Sequence, residues 1–260
     1  MFKLSQDKKS FIPFIMAGVP DLKTTKEALL MLDKLNVGAI ELGVPFTDPI
    51  ADGPVNQEAS MIGLKNKVTL RTIFSLLSNL QWTDFKTPII LFTYLNPILS
   101  MGFNQFIALS KKANVQAVLI VDLPVEEGEV FYRDLYQSDI SSVLLVSPTT
   151  SLERCKMMSR LHSAFIYYIS RCAVTGVISD IRKTLSDEIA TLREIFSDHA
   201  IAVGFGISTA THAKTISAYA DAVIVGSALM MHLNQGDFQS FKMLSCDIQQ
   251  AISEVYDEKM

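Results

Sequence analysis

A closed (β/α)8 barrel is the fold class this sequence predicts, and three observations predict it. Eight short apolar runs recur along 260 residues, amphipathic stretches of helical length lie between them, and no linker or low-complexity tract divides the chain. Near-continuous apolar strands alternating with helices describe a parallel sheet covered on both faces. Eight such strands suit a barrel, which often occupies this length as one domain, here residues 1–260. An open doubly wound sheet is the rival. The first run lacks the GxGxxG turn, which counts against the dinucleotide-binding form of that sheet.

The runs are FIPFIMAG (Phe11–Gly18), GAIELGV (Gly38–Val44), PIILFTY (Pro88–Tyr94), AVLIVDLP (Ala117–Pro124), SSVLLVSP (Ser141–Pro148), FIYYIS (Phe165–Ser170), AIAVGFG (Ala200–Gly206) and DAVIVGS (Asp221–Ser227). Each is rich in Val, Ile, Leu or Phe and is short enough to be a buried strand. Thr24–Leu35, Thr69–Leu80, Phe103–Lys112, Glu127–Ser138 and Leu185–Ser197 are amphipathic and read as helices. The longest step between strand starts runs from Gly38 to Pro88. Its extra residues follow the second strand, on the face where barrels carry their function.

Composition excludes several classes. The formal net charge is −4, so no basic surface speaks for nucleic acid. The pairs Lys8-Lys9 and Lys111-Lys112 read as solvated faces. Cys155, Cys172 and Cys246 form no CxxC pair and suit a reducing compartment better than a disulfide framework. The four histidines are scattered without metal-ligand spacing, so no metal is expected. The opening MFKLSQDKKS has no apolar core of signal-peptide length, and no run approaches the roughly 18 apolar residues of a membrane span. A soluble cytoplasmic protein is expected.

The stretch AIELGVPFTDPIADGP (Ala39–Pro54) carries the first chemical signal. Period-two alternation puts Ala39, Glu41 and Gly43 on one face and Ile40, Leu42 and Val44 on the other. The apolar set suits packing against outer helices, and the small residues beside Glu41 suit the crowded interior. Glu41 is therefore expected to point inward near the top of the barrel. Desolvation there raises a carboxyl pKa toward the range useful for general acid–base work. A structural Glu bonded to a core Tyr or Arg is the plainer alternative. Asp48 and Asp52 follow in a loop stiffened by three prolines, where turn caps alone would also account for them.

A second signal lies at the other end of the chain. The seventh run leads into VGFGIS (Val203–Ser208) and the eighth into IVGSAL (Ile224–Leu229), each a glycine turn before a helix. Helix N-termini offer unpaired N–H groups to an anion, and barrels often hold phosphate there. ISRCAVTGV (Ile169–Val177), after the sixth strand, adds the Gly176 N–H and the Thr175 hydroxyl. Any one of these turns is equally well explained by helix capping; together they point to a phosphorylated small substrate.

IELGVPFTDPIADGP closely resembles the signature of the tryptophan synthase alpha chain family. PFIMAGVP, YLNPILSMGF, VDLPVEE, YISRCAVTG, GFGIS and VGSAL resemble its other motifs, in the family's order and over nearly the whole chain. The resemblance implies retro-aldol cleavage of indole-3-glycerol phosphate to indole and glyceraldehyde 3-phosphate. It implies no cofactor in this chain, and a PLP-dependent beta chain as partner in an α2β2 assembly. By position Glu41 matches the acid–base residue, and Asp52 the carboxylate that stabilises positive charge on the indole nitrogen. Gly176, Gly206, Gly226 and Ser227 match phosphate contacts. Phe14, Tyr94, Tyr167 and Phe205 match residues lining the indole and glycerol site, and Thr175 matches the residue that meets Asp52 on loop closure. Asp48, Pro49, Asn96 and Pro97 fall in segments expected at the beta-chain interface.

Three departures accompany the match. About ten residues precede Phe11, so the family's leading helix is expected to be shortened or absent and the barrel bottom less covered. Val19 stands where an Asp is common. Cys172 and Ala173 stand where the family usually has a smaller polar residue and a Gly, in a loop expected to close over substrate. These loop changes motivate an alternative: a lyase-impaired subunit that mainly activates the beta chain. Another phosphate-sugar isomerase or synthase on the same barrel is a third reading.

Overall fold

The computed structural model describes residues 1–80, 84–169, 178–204 and 206–257, with side chains from 178–184 and 256–257 left aside. The elements run β1 (Ser10–Met16), α1 (Leu22–Lys34), β2 (Ile40–Gly43), α2 (Pro54–Lys65), α3 (Leu70–Ser78), β3 (Ile89–Thr93), α4 (Leu95–Met101), α5 (Phe103–Lys112), β4 (Ala117–Ile120) and α6 (Val125–Gln137). They continue with β5 (Ser141–Val146), α7 (Leu152–Met158), β6 (Ser163–Ile169), α8 (Ile178–Ile195), β7 (Ile201–Gly204), α9 (Ala210–Ser217), β8 (Ala222–Val225), α10 (Ser227–Asn234) and α11 (Phe238–Asp257). All eight strands pair parallel in chain order, and β8 returns to β1 to close the barrel. Each expected strand forms, and the doubly wound alternative falls with the closure.

Local chemistry starts the helices where they are needed. Asp21 caps α1 by accepting the Thr24 N–H at 2.7 Å. Thr69 and Thr72 cap α3 reciprocally. Pro54 opens α2 at a position whose N–H has no helical partner in any case. The long insertion after β2 is thus a loop followed by two helices.

Alternation sorts the strand residues as expected. Ile40, Leu42 and Val44 join the shell shared with the helices. Ala39 joins the interior cluster with Ile12, Ile90, Val143, Phe165 and Ala202. Ala202 on β7, Ala222 on β8 and Ala200 just before β7 leave room in that cluster for Phe165.

No helix precedes β1. The expectation of a poorly covered bottom is corrected: residues 2–6 run beneath the barrel as a strap. The Leu4 side chain enters the interior cluster, 5% exposed. The Leu4 N–H donates to the Ala164 carbonyl at 3.0 Å, and the Ser141 hydroxyl donates to the Phe2 carbonyl at 2.5 Å. The Gln6 amide donates to the carbonyls of Ser197 (3.2 Å) and His199 (2.8 Å). A leucine plug with backbone anchors does the covering that a helix would otherwise do.

Val19 is fully buried, so this position serves packing. The loop holding it is tied to the end of α2 by the Asn66 amide, which donates to the carbonyls of Gly18 (2.9 Å) and Pro20 (2.5 Å).

Leu4→Ala is expected to lower the unfolding free energy by about 2–4 kcal/mol, the usual range for a buried leucine. Urea midpoints check it; a loss below roughly 1 kcal/mol would remove Leu4 from the packed interior.

Candidate active site

Glu41 occupies an interior position of β2, in register with Phe14 on β1 and Ile90 on β3. It is 1% exposed, and neither carboxyl oxygen has a hydrogen-bond partner. Among the described residues, the core-Tyr or core-Arg partner of the plainer reading is therefore absent. Burial pushes its pKa from near 4.5 up to about 8, so at neutral pH the group is mostly a neutral acid. A proton donor is held with its full hydrogen-bonding capacity unspent.

Aromatic residues surround the upper interior. Phe14 and Phe92 meet edge to face with centroids 5.1 Å apart. Gly43, directly after Glu41 and Leu42 in the strand, makes way for the Phe14 ring: a Cβ there would lie 2.7 Å from Phe14 Cζ. Gly204 on β7 does the same for Tyr167, whose hydroxyl oxygen would lie 2.6 Å from a Cβ. Burial, with the carboxyls of Glu41 and Asp52 nearby, pushes the Tyr167 phenol well above its ordinary pKa.

Asp52 sits in the loop between β2 and α2. The Tyr94 hydroxyl donates to its Oδ2 at 2.8 Å and accepts the Ala51 N–H at 3.1 Å. Partial burial raises the Asp52 pKa, while hydrogen bonds from Tyr94 and Asn56 oppose the rise. Those bonds favour the ionised form, so Asp52 is electrostatically unlike Glu41. The same loop exposes Asp48 and leaves Pro49 half-buried. Ile50 projects beside them, 84% exposed. Asn96 is exposed and Pro97 half-buried on α4, one turn from the exposed Leu99. The Tyr94 bonds bring these two segments together at the barrel mouth.

The two glycine turns differ in what they offer. Gly206 is exposed at φ +71°, but the helix that follows, α9, is capped by Thr209, whose hydroxyl accepts the His212 N–H. Gly226 begins α10 with no side-chain cap, so the first-turn N–H groups at exposed Ser227 lack a side-chain acceptor. Of the two termini, α10 is the one open to an anion. Thr175, Gly176, Phe205, Cys172 and Ala173 lie outside the described residues. Among the described residues, no group of His, Cys, Asp or Glu is arranged to hold a metal, and no helix is long and apolar enough to cross a membrane.

A cavity of about 300 Å³ opens beside the mouth between the ends of β4 and β5. Pairing between these strands stops at Val118 and Ser142, so the seam parts above that level. Asn56, Ser60 and Ile50 are the residues that sequence reasoning passed over. Only Asn56 carried a signal, four positions beyond Asp52 in the first turn of α2.

A family model described as tryptophan synthase alpha chain matches residues 2–256. The tryptophan synthase alpha chain of Rippkaea orientalis is 39% identical over 260 residues, covering 97% of each chain. That of Petrotoga mobilis is 39% identical, covering 94% of this chain and 95% of its own. Among solved structures, tryptophan synthase subunit alpha from Legionella pneumophila superimposes with a TM-score of 0.86 at 31% identity, covering 95% of this chain and 94% of its own. A chain of the tryptophan synthase complex from Pyrococcus furiosus superimposes with a TM-score of 0.83 at 35% identity, covering 96% of this chain and all of its own.

The raised Glu41 pKa has a stability consequence. Between about 4.5 and 8 the unfolded chain has lost this proton and the folded chain keeps it, so the stabilising contribution is full below 4.5 and is lost as pH rises through 8. Glu41→Gln removes that slope. The stability of the variant relative to the parent should climb with pH across this window, by up to about 1.4 kcal/mol per unit. Urea unfolding at several pH values measures it, and a flat difference would show that Glu41 is already ionised in the folded protein.

Proposed function

We propose a function from an established premise: the chain belongs to the tryptophan synthase alpha chain family. The activity of that family is cleavage of indole-3-glycerol phosphate to indole and glyceraldehyde 3-phosphate. The observation that carries the assignment of roles is the buried, unpartnered carboxyl of Glu41, set against an Asp52 that the Tyr94 hydroxyl holds by a hydrogen bond. The whole of residues 1–260 serves as one barrel domain for this chemistry.

Glu41, protonated at neutral pH, delivers its proton to indole C3. The indole ring becomes an iminium-like cation, and the Asp52 carboxylate stabilises the charge at the ring nitrogen. Glu41, now a carboxylate, takes the proton from the glycerol hydroxyl next to the breaking bond. The C–C bond electrons return to the ring, indole leaves, and the aldehyde forms. Glu41 ends protonated, so one residue serves as acid and then base. Tyr94 orients Asp52. Phe14, Tyr167 and Phe205 enclose the indole and glycerol portions. The phosphate is held by Gly226 and Ser227 at α10, with Gly206 and Gly176 from the neighbouring loops, and Thr175 meets Asp52 when the loops close over substrate.

The partner is a PLP-dependent beta chain that consumes the indole, in an α2β2 assembly in the cytoplasm; this chain itself holds no cofactor. Asp48, Pro49, Asn96 and Pro97 form the contact. The exposed Ile50 and Leu99 beside them support that reading, because an apolar side chain this open gains from being covered.

Indole release from indole-3-glycerol phosphate, with and without the beta chain, tests the function. Cleavage that rises with the partner is the expected result. No cleavage together with enhanced beta-chain turnover of indole and serine would mark a subunit retained for activation only. Glu41→Gln and Asp52→Asn should each keep substrate binding and lower cleavage by about a hundredfold or more. Near-normal cleavage by either variant overturns the role given to that residue.

A further inference from the structure

Ser60 lies inside α2 and is 1% exposed. A serine in a helix interior commonly turns its hydroxyl back to a carbonyl of its own helix. This one reaches out of the helix instead. Its Oγ accepts the Phe46 N–H at 2.7 Å and donates to the Phe46 carbonyl at 2.8 Å. One hydroxyl therefore satisfies both backbone groups of a residue in the loop that carries Asp52.

Phe46 in turn stacks on Tyr94, with centroids 4.9 Å apart and planes at 28°. The far end of that Tyr94 ring is the hydroxyl that donates to Asp52 and accepts the Ala51 N–H. A continuous chain of contacts thus leads from Ser60 through the Phe46 backbone and ring to the Tyr94 ring and the Asp52 carboxylate.

We propose that Ser60 is a positioning residue: by fixing Phe46 it sets the Tyr94 ring, and through Tyr94 the direction in which Asp52 faces the substrate. The inference rests on the reading of Asp52 as the group that stabilises the indole cation. That charge exists only during reaction, so misdirecting Asp52 slows the chemical step and leaves ground-state binding alone. Without the hydroxyl, the Phe46 N–H and carbonyl must find other partners, and the ring leaves its stack.

Ser60→Ala removes one oxygen and puts the best helix former in its place. In the complex with the beta chain, kcat for indole-3-glycerol phosphate cleavage is expected to fall about tenfold, with KM changed less than about twofold. Phe46→Leu, which keeps the Ser60 bonds and loses the stack, should lose kcat by a similar factor. In a Tyr94→Phe background, where the ring no longer reaches Asp52, Ser60→Ala should cost less than about a further twofold. An equal loss in both backgrounds overturns the proposal, as does unchanged kcat in Ser60→Ala or Phe46→Leu, or a loss confined to KM. A parent chain that cleaves nothing overturns the reading of the site and this inference together. A parent that cleaves normally beside an unaffected Ser60→Ala overturns the inference alone.

Discussion

Space along the axis of a closed barrel is the constraint on which the rest of this molecule depends. Eight strands send every second side chain toward one line, and each must fit among the others. Alanines on β7 and β8 and glycines at 43 and 204 yield that space to Phe165, Phe14 and Tyr167. The same crowding keeps water and polar partners away from Glu41. Its desolvation follows from packing around it, and the proton it retains at neutral pH follows from desolvation.

The second carboxylate shares the burial but not the lack of partners. Asp52 stands where the barrel opens, and donors are brought to it from Tyr94, between β3 and α4, and from α2. Burial raises both carboxyls, but at Glu41 nothing opposes the rise, whereas at Asp52 hydrogen bonds work against it. In the proposed mechanism, the division of labour between proton donor and charge stabiliser rests on this difference of surroundings.

Much of this was legible in the chain. Strand identity followed from eight short apolar runs, and the inward direction of Glu41 followed from period-two alternation. The glycine turns marked the end of the barrel where α10 opens. What could not be read were pairings between distant positions. Tyr94 meets Asp52 across 42 positions, and nothing local to either announces it. Ser60 looked like an ordinary helix serine, because its partner is chosen by the path of the loop. The strap was hidden for another reason: Phe2 and Leu4 lie among polar residues without periodicity, and only the hollow beneath the barrel makes them core. The distinction between α9 and α10 rests on Thr209, a capping residue that satisfies one helix end and leaves the other open.

The strap also bears on the order in which the molecule can be completed. Residues 2–6 bond to partners 139 to 193 positions further along the chain, on β5 and just before β7. A ribosome makes the plug long before it makes the hole. During synthesis Phe2 and Leu4 remain without their receptacle until the strands near Ala164 and His199 have emerged and curled. Sealing the lower end is therefore a late event in assembly. The opening segment waits as a tether and is drawn in once the ring above it has closed.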